Sequence, residues 1–170
     1  CQWAKHLGAT VIGTVGSDEK AELARAHGCD HPIVYTRENV VERVKAITDG
    51  GGVPVVFDSV GRDTFTASLD CLQPRGLMVS YGNASGAVEP FSPGVLAAKG
   101  SLFFTRPTLA SYIATRAELD ATTTELFDVV RSGAVKVEVS QVYPLKDAAQ
   151  AHRALEARKT TGSTVLIVEE

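Results

Sequence analysis

The sequence is poor in several features that mark particular classes of protein. Its three cysteines, Cys1, Cys29 and Cys71, lie far apart, which is typical of reduced thiols rather than of a disulfide framework. No apolar run approaches the roughly 20 residues that a membrane span needs, and no signal peptide is evident. Seventeen Lys and Arg against twenty Asp and Glu leave a net charge of −3 and no basic block. We therefore expect a cytoplasmic protein without a nucleic-acid or membrane partner.

What is present is an ordinary globular composition, with 44% hydrophobic and 22% charged residues over 170 positions. Apolar strands alternate with helical stretches from end to end, and the strands lack an alternating polar face. This pattern is typical of a parallel sheet covered by helices on both sides. The sequence thus predicts an α/β fold with a doubly wound sheet. Its predicted strands are 10–15, 32–35, 53–57, 77–81, 101–105, 135–142 and 164–168, and its longer helices 18–27, 39–48, 111–131 and 146–157.

The residues that follow the first five predicted strands are small, glycine-rich or hydroxyl-bearing. Ligands of open parallel sheets bind outside the carboxyl ends of the strands. Glycine and serine there let a backbone approach an extended polar ligand and offer N–H groups to it, although both are also common in any turn. The segments concerned are 16–17, 35–36, 58–61, 82–86 and 105–106.

The turn after the first predicted strand carries a nucleotide-selectivity signal. A domain selective for NAD places an Asp or Glu there to bind the ribose 2′-hydroxyl. This chain has Gly16 and Ser17 instead, with Lys20 one helical turn further on. A small neutral pair beside a cation leaves room for a 2′-phosphate, which indicates NADPH. Asp18 and Glu19 argue mildly against such a pocket unless their side chains point away, and Lys20 alone is equally compatible with a solvated helix position.

An ordered set of short motifs resembles the bacterial NADPH:quinone oxidoreductases, zinc-free members of the medium-chain dehydrogenase/reductase superfamily related to zeta-crystallin. Each motif is weak alone, but the set covers essentially the whole chain. The motifs are Cys1-Gln2-Trp3-Ala4-Lys5, Leu7-Gly8-Ala9, Ile12-Gly13-Thr14-Val15-Gly16, Asp58-Ser59-Val60-Gly61, Asp70-Cys71-Leu72-Gln73-Pro74-Arg75-Gly76, Tyr81-Gly82-Asn83, Ser85-Gly86, Thr105-Arg106-Pro107 and Tyr143-Pro144-Leu145.

The resemblance implies roles for individual residues. It assigns to the adenosine end the positions Gly16, Ser17, Lys20, Tyr35 and Ser59, with Lys20 and Arg158 as the two cations on the 2′-phosphate. It assigns to the ribose and pyrophosphate path Tyr81, Gly82 and Asn83, and to the nicotinamide Phe103, Phe104 and Thr105. Strand 101–105 would also be the edge through which two copies form a homodimer. Tyr35 and Arg158 are otherwise explained as a residue capping the sheet edge and a surface arginine.

A metal site and a cysteine nucleophile are both disfavoured. His27, Cys29 and His31 lie within five residues, but no further ligand cluster and no Cys-x-x-Cys motif accompanies them. No histidine partners Cys29 or Cys71 in a recognisable motif. We expect no metal, and no catalytic acid or base from this chain.

A dinucleotide-binding fold also needs a first strand and a glycine-rich turn into its first helix, and the sequence contains neither. Gly13-Thr14-Val15-Gly16 does not satisfy the Gly-x-Gly-x-x-Gly pattern and lies on another strand. In the strand order 3-2-1-4-5-6 the missing strand is the central one, so the strands beginning near Thr10 and Val53 should each lack a neighbour. We expect residues 1–170 to be an N-terminally truncated, Rossmann-like cofactor domain of a longer enzyme, without its catalytic domain.

The resemblance implies an enzyme that transfers a hydride from C4 of NADPH directly to a quinone, with the protein supplying position and a dry pocket. Two alternatives remain open. One is a different medium-chain reductase acting on an enone or an alcohol, and the other is a non-enzymatic nucleotide-binding protein.

Overall fold

The computed structural model describes residues 1–157 and 159–168. The chain folds as two compact units, 1–123 and 124–170. The first unit consists of short helices alternating with five strands. Its elements are α1 (Gln2–His6), β1 (Ile12–Val15), α2 (Asp18–Ala26), β2 (His31–Val34), α3 (Val40–Ile47), β3 (Val53–Asp58), α4 (Phe65–Asp70), β4 (Leu72–Ser80), α5 (Gly94–Ala98), β5 (Phe103–Thr105) and α6 (Leu109–Tyr112).

All strand pairs in the first unit are parallel, as the sequence predicts. β1 pairs with β2, and β4 lies between β3 and β5. Among the described residues, β1 has no second strand neighbour and neither does β3, so each presents one unpaired edge. These are the two edges that the expected strand order leaves without a partner.

The two longer helices of this unit, α2 and α3, begin within one residue of the predicted 18 and 39, each at a side-chain cap. The Ser17 hydroxyl accepts a hydrogen bond from the N–H of Lys20 at 3.3 Å and so starts α2. The Asn39 side chain accepts from the N–H groups of Val41 and Glu42 and starts α3. Both helices therefore connect strands through short, well-defined turns.

Two hydrophobic clusters pack against β3. One cluster is formed by Leu69, Leu72, Met78 and Leu102, and the other by Ile33, Val44 and Cys71. Val53 and Val56 of β3 pack against both clusters. Val55 and Phe57 of the same strand are 38% and 72% exposed, so its apolar run is only partly covered in this chain.

β4 is longer than predicted, because it begins at Leu72 and not at Leu77. The Pro74-Arg75-Gly76 segment, which precedes the predicted strand 77–81, lies inside β4. Its register with β3 shifts between the Val53↔Leu72 and Val55↔Leu77 pairs, and Arg75 has a φ of 63°. A strand tolerates Pro and an irregular residue at such a bulge.

The helix predicted over 111–131 is divided into two helices, α6 and α7 (Arg116–Arg131). Thr115 begins α7 with a reciprocal cap: its hydroxyl accepts from the N–H of Glu118, and the Glu118 carboxylate accepts from the N–H of Thr115. This Thr-x-x-Glu capping box is visible in the sequence and could have placed the boundary.

The second unit contains the C-terminal part of α7 and a small parallel sheet. Its elements are β6 (Val139–Pro144), the 3₁₀ turn Leu145–Asp147, α8 (Ala148–Glu156) and β7 (Ser163–Ile167). β6 pairs with β7 in parallel. The first of these strands starts four residues later than the predicted 135–142. Among the described residues, no helix of either unit has the length and apolar character of a membrane span.

Replacing Leu69 by Ala should reduce the free energy of unfolding by about 2–5 kcal/mol, because the side chain is only 1% exposed and its removal leaves a cavity among Leu72, Met78 and Leu102. The measurement is a urea unfolding curve. Leu23→Ala on α2, where the side chain is 38% exposed, is the matched control and should lower stability much less. Equal losses for the two variants would contradict this description of the core.

Candidate functional site

The strand-end segments singled out in the sequence lie at the carboxyl ends of the two sheets of the first unit. Segments 16–17 and 35–36 follow β1 and β2, which are paired neighbours. Segments 58–61, 82–86 and 105–106 lie at the carboxyl ends of β3, β4 and β5, which form the other sheet. The predicted site residues thus fall into two groups, one at the end of each sheet.

In the first group, Gly16 and Tyr35 are in close contact. A Cβ added to Gly16 would lie 3.0 Å from the Tyr35 hydroxyl oxygen, so a larger residue would have to displace the ring. The Thr36 hydroxyl donates to the carbonyl oxygen of Gly16 at 3.3 Å. Tyr35 is 45% exposed. The ends of β1 and β2 therefore form one surface of small residues beside an accessible aromatic ring.

Ser17 and Lys20 belong to the same group through the first turn of α2. The Ser17 hydroxyl is used as the helix cap, and Lys20 lies in the turn that this cap begins. The N-terminus of a helix favours anions. Lys20 therefore lies near an end of the helix that favours negative charge.

Arg37 is a residue of this group that sequence reasoning missed. Both terminal nitrogens of its guanidinium donate to the two carboxylate oxygens of Asp18, in a bidentate pair. The hydrogen bond from Arg37 has the largest effect and lowers the pKa of the Asp18 carboxyl; desolvation opposes it, and the charges of Arg37 and Arg25 lower the pKa further. Asp18, one of the two acidic residues that argue against a phosphate pocket, is thus paired with a neighbouring cation. The pairing joins positions 19 residues apart, and no local sequence signal reveals it.

In the second group, the loop after β3 and the loop after β4 are hydrogen-bonded to each other. The Ser59 carbonyl accepts from the N–H of Ala84 at 3.2 Å. The Val60 carbonyl accepts from both the N–H and the hydroxyl of Ser85, at 2.8 and 2.9 Å. The N–H of Arg62 donates to the carbonyl oxygen of Gly86 at 3.1 Å. The two loops therefore behave as one unit.

Glycine is required at two contacts between these loops. A Cβ on Gly82 would lie 2.3 Å from the carbonyl oxygen of Ser59, and a Cβ on Gly61 would lie 2.5 Å from that of Gly86. Gly61 also has a φ of 92°, which side chains other than glycine rarely adopt. The N–H groups of Gly82 and Asn83 have no protein acceptor in the part of the chain that the structure describes. Gly82 is half-buried and Asn83 is exposed at the carboxyl end of β4.

Asp58, the last residue of β3, holds the loop after β3 in place through hydrogen bonds to its side chain. Its side chain is 4% exposed and accepts four hydrogen bonds. Burial alone raises the pKa of this carboxyl, but the bonds from the N–H groups of Gly61 and Val60 and from the hydroxyls of Ser68 and Thr64 outweigh that effect. The pKa of Asp58 is lowered, and the residue is an anion at neutral pH.

The predicted nicotinamide residues have different environments in the structure. Phe103 is 61% exposed, whereas Phe104 packs in the hydrophobic cluster against Phe65 and Phe91, with ring centroids 6.0 and 5.4 Å away. Tyr81 is also exposed at the end of β4. Beside it, the Arg106 guanidinium donates to the carbonyl oxygen of Ser80 at 2.9 Å.

The three cysteines are free thiols, and Cys29 and Cys71 are buried. Burial, assisted by the charge of Asp70, raises the pKa of Cys71 to about 11, so this thiol stays protonated at neutral pH. His27 contacts the carbonyl oxygen of Leu23. Across residues 1–157 and 159–168 no three His, Cys, Asp or Glu side chains are grouped as metal ligands. Arg158 lies outside the described residues.

The pKa of Asp58 predicts a pH dependence of stability. Because the folded state binds this proton less readily than the unfolded chain does, Asp58 stabilises the fold above its unfolded pKa of about 3.8. This contribution is lost as the pH falls through the lower folded value. The difference in unfolding free energy between wild type and Asp58→Asn should therefore be largest near pH 7, at about 2 kcal/mol, and shrink below pH 4. Urea unfolding at several pH values measures it, and a difference independent of pH would contradict the ionised state of Asp58.

Comparison with known proteins gives close relatives. Quinone oxidoreductase 1 of Escherichia coli K12 is 57% identical over 98% of this chain and 52% of its own length. The 2-haloacrylate reductase of a Burkholderia species is 49% identical over 97% of this chain and 50% of its own length. The chain spans about half the length of the curated relatives it matches.

Solved structures include the same fold. The crystal structure of Escherichia coli quinone oxidoreductase complexed with NADPH superposes with a TM-score of 0.95 at 56% identity, over 99% of this chain and 52% of that one. This likeness confirms the predicted α/β, Rossmann-like class. The family model described as zinc-binding dehydrogenase matches residues 27–166. The chain belongs to the zinc-binding dehydrogenase family and resembles the C-terminal portion of its quinone oxidoreductases.

Proposed function

We propose that this chain is the NADPH-binding part of an enzyme that reduces quinones. The observation that carries the proposal is the hydrogen-bonded pair of loops at the end of β3 and β4, which leaves the N–H groups of Gly82 and Asn83 available to an anionic ligand. Such groups at the carboxyl ends of parallel strands suit a pyrophosphate. The crystal structure of the Escherichia coli relative in complex with NADPH supports the choice of cofactor.

The preference for NADPH over NADH rests on the first group of residues. Gly16 and Ser17 occupy the position at which an NAD-selective domain has a carboxylate. The carboxylate that is near, Asp18, is paired with Arg37. We propose that Lys20 binds the 2′-phosphate together with Arg158, and that Tyr35 and Ser59 lie beside the adenosine.

The remaining assignments follow the path of the dinucleotide. Tyr81, Gly82 and Asn83 would line the ribose and pyrophosphate, and Phe103 and Thr105 the nicotinamide. Phe104 would support that strand from the hydrophobic cluster in which it packs. NADPH, when bound, supplies the hydride, and this chain's residues bind and orient it and exclude water. No side chain of the chain is proposed to act as a catalytic acid or base.

We also propose that a longer polypeptide completes the fold. Among the described residues, β1 and β3 each present an unpaired edge, and Phe57 of β3 is 72% exposed. A parallel strand inserted between them, followed by a glycine-rich turn, would satisfy both edges and supply the first pyrophosphate-binding helix. The catalytic domain with most of the quinone pocket would belong to the same polypeptide.

Three further properties are proposed with this function. The short strand β5 has one strand neighbour among the described residues and exposes Phe103, which suits pairing with a second copy into a homodimer. The three free cysteines suit the cytoplasm. The scattered cysteines and histidines suit a zinc-free member of the family, which metal analysis of the purified protein would test.

A second candidate function is the reduction of an activated carbon–carbon double bond. The 2-haloacrylate reductase, at 49% identity, favours it. The same cofactor site would serve both reactions, since the acceptor pocket lies mostly outside this chain.

The complete protein should oxidise NADPH in the presence of a small quinone, and residues 1–170 alone should not, because they lack the proposed central strand. Absorbance at the NADPH band measures the reaction, with an enone as the competing acceptor. Faster turnover with the enone would favour the second candidate, and NADPH binding without oxidation by any acceptor would favour a non-enzymatic protein.

Lys20→Ala in the complete protein should raise KM for NADPH by roughly tenfold, corresponding to about 1.4 kcal/mol for one phosphate contact. KM for NADH should change little, because NADH has no 2′-phosphate. Lys45→Ala, which removes an exposed lysine from α3, is the control. If Lys20→Ala raises KM for NADPH and KM for NADH by the same factor, Lys20 does not recognise the 2′-phosphate.

A further inference from the structure

The Asp58 carboxylate is the most completely bonded polar side chain near the site, and none of the proposed cofactor contacts uses it. One oxygen accepts from the N–H groups of Val60 and Gly61, at 2.8 and 3.0 Å. The other accepts from the hydroxyls of Thr64 and Ser68, both at 2.7 Å. The group thus ties the first residues after β3 to the first turn of α4.

The position of this turn sets the position of the neighbouring loop. Ser59 and Val60 bind the 82–86 loop through their carbonyl oxygens, and the N–H of Tyr81 donates to the carbonyl of Asp58 at 2.9 Å. The two loops are also joined through Ser85, whose hydroxyl accepts a hydrogen bond from the N–H of Asp63 at 3.0 Å. A displacement of the first turn would therefore break hydrogen bonds to the second loop.

The packing leaves little freedom for a compensating adjustment. The backbone of Gly82 lies so close to the backbone of Ser59 that a Cβ on Gly82 would not fit. A Cβ on Gly61 would likewise collide with the carbonyl oxygen of Gly86. Closely packed backbones have one low-energy arrangement and transmit displacement. The N–H groups of Gly82 and Asn83 belong to the loop held in this manner.

We propose that Asp58 is a positioning residue for the dinucleotide: its carboxylate holds the 59–61 turn and, through that turn, orients the N–H groups of Gly82 and Asn83 for the pyrophosphate. The inference rests on the proposed function. It adds a residue that does not touch the cofactor but sets the geometry of those that do.

All four groups that contact the Asp58 carboxylate donate to it, two to each oxygen. A carboxylate accepts at both, whereas an amide of the same shape offers one acceptor and an NH₂ donor. In Asp58→Asn the amide oxygen keeps the two backbone N–H donors only when the NH₂ group faces Thr64 and Ser68, whose hydroxyls must then turn from donors into acceptors. The variant keeps the volume of the side chain, removes its negative charge and reverses two of its four hydrogen bonds.

The test is NADPH affinity of the complete protein, measured by fluorescence titration at a temperature where circular dichroism shows each variant folded. Asp58→Asn should weaken NADPH binding at least tenfold, and Thr64→Val, which removes one donor, about threefold. Thr64→Ser keeps the hydroxyl and should bind nearly as wild type. Thr66→Val makes the same change at an exposed position of α4 and should have no effect. With saturating NADPH, kcat of Asp58→Asn should fall less than threefold, so that the defect is in KM.

The outcomes separate this inference from the function it rests on. If the wild-type protein does not bind NADPH, the proposed function fails. If the wild type binds and folded Asp58→Asn binds equally well, the positioning role is overturned. Should Asp58→Asn not fold, the comparison of Thr64→Val with Thr64→Ser decides, and equal affinities overturn the role.

Discussion

Every strand pair in the described structure is parallel, and this constraint arranges the rest of the molecule. A parallel connection must return the chain to the starting edge through a crossover, here a helix or a loop with a helix. The turns that leave the strands therefore gather at the carboxyl ends of the sheets. Within β3, Val53 and Val56 contact both hydrophobic clusters.

Two acidic residues near these strand ends, Asp18 and Asp58, differ in burial and in the groups that compensate their charge. Asp18 is exposed, and Arg37 neutralises it through a bidentate pair. Asp58 is buried without a cationic partner among its four contacts, and hydrogen bonds from two N–H groups and two hydroxyls keep it ionised. The charge of the first carboxylate is compensated at the surface, and the second carboxylate holds a turn of the backbone in place.

Much of the fold was predictable because its signals are local. Capping residues Ser17 and Asn39 start their helices where expected, and apolar runs mark the strands. The errors have physical causes. β4 continues through Pro74 because a bulge accommodates it, and the predicted helix over 111–131 divides at Thr115, whose capping box sequence reasoning overlooked. The candidate site was predictable as a set of strand-end loops, while the roles of its individual residues stay predictions.

The sequence by itself determined the α/β class, the strand-end glycines, the small pair Gly16 and Ser17, and the family resemblance, since these depend on periodicity, residue size and short motifs. Only the tertiary structure decided which groups meet. Arg37 reaches Asp18 across 19 positions, and Ser85 reaches Val60 across 25. Such contacts arise when a sheet brings distant turns to one end, and no local pattern in the chain encodes them.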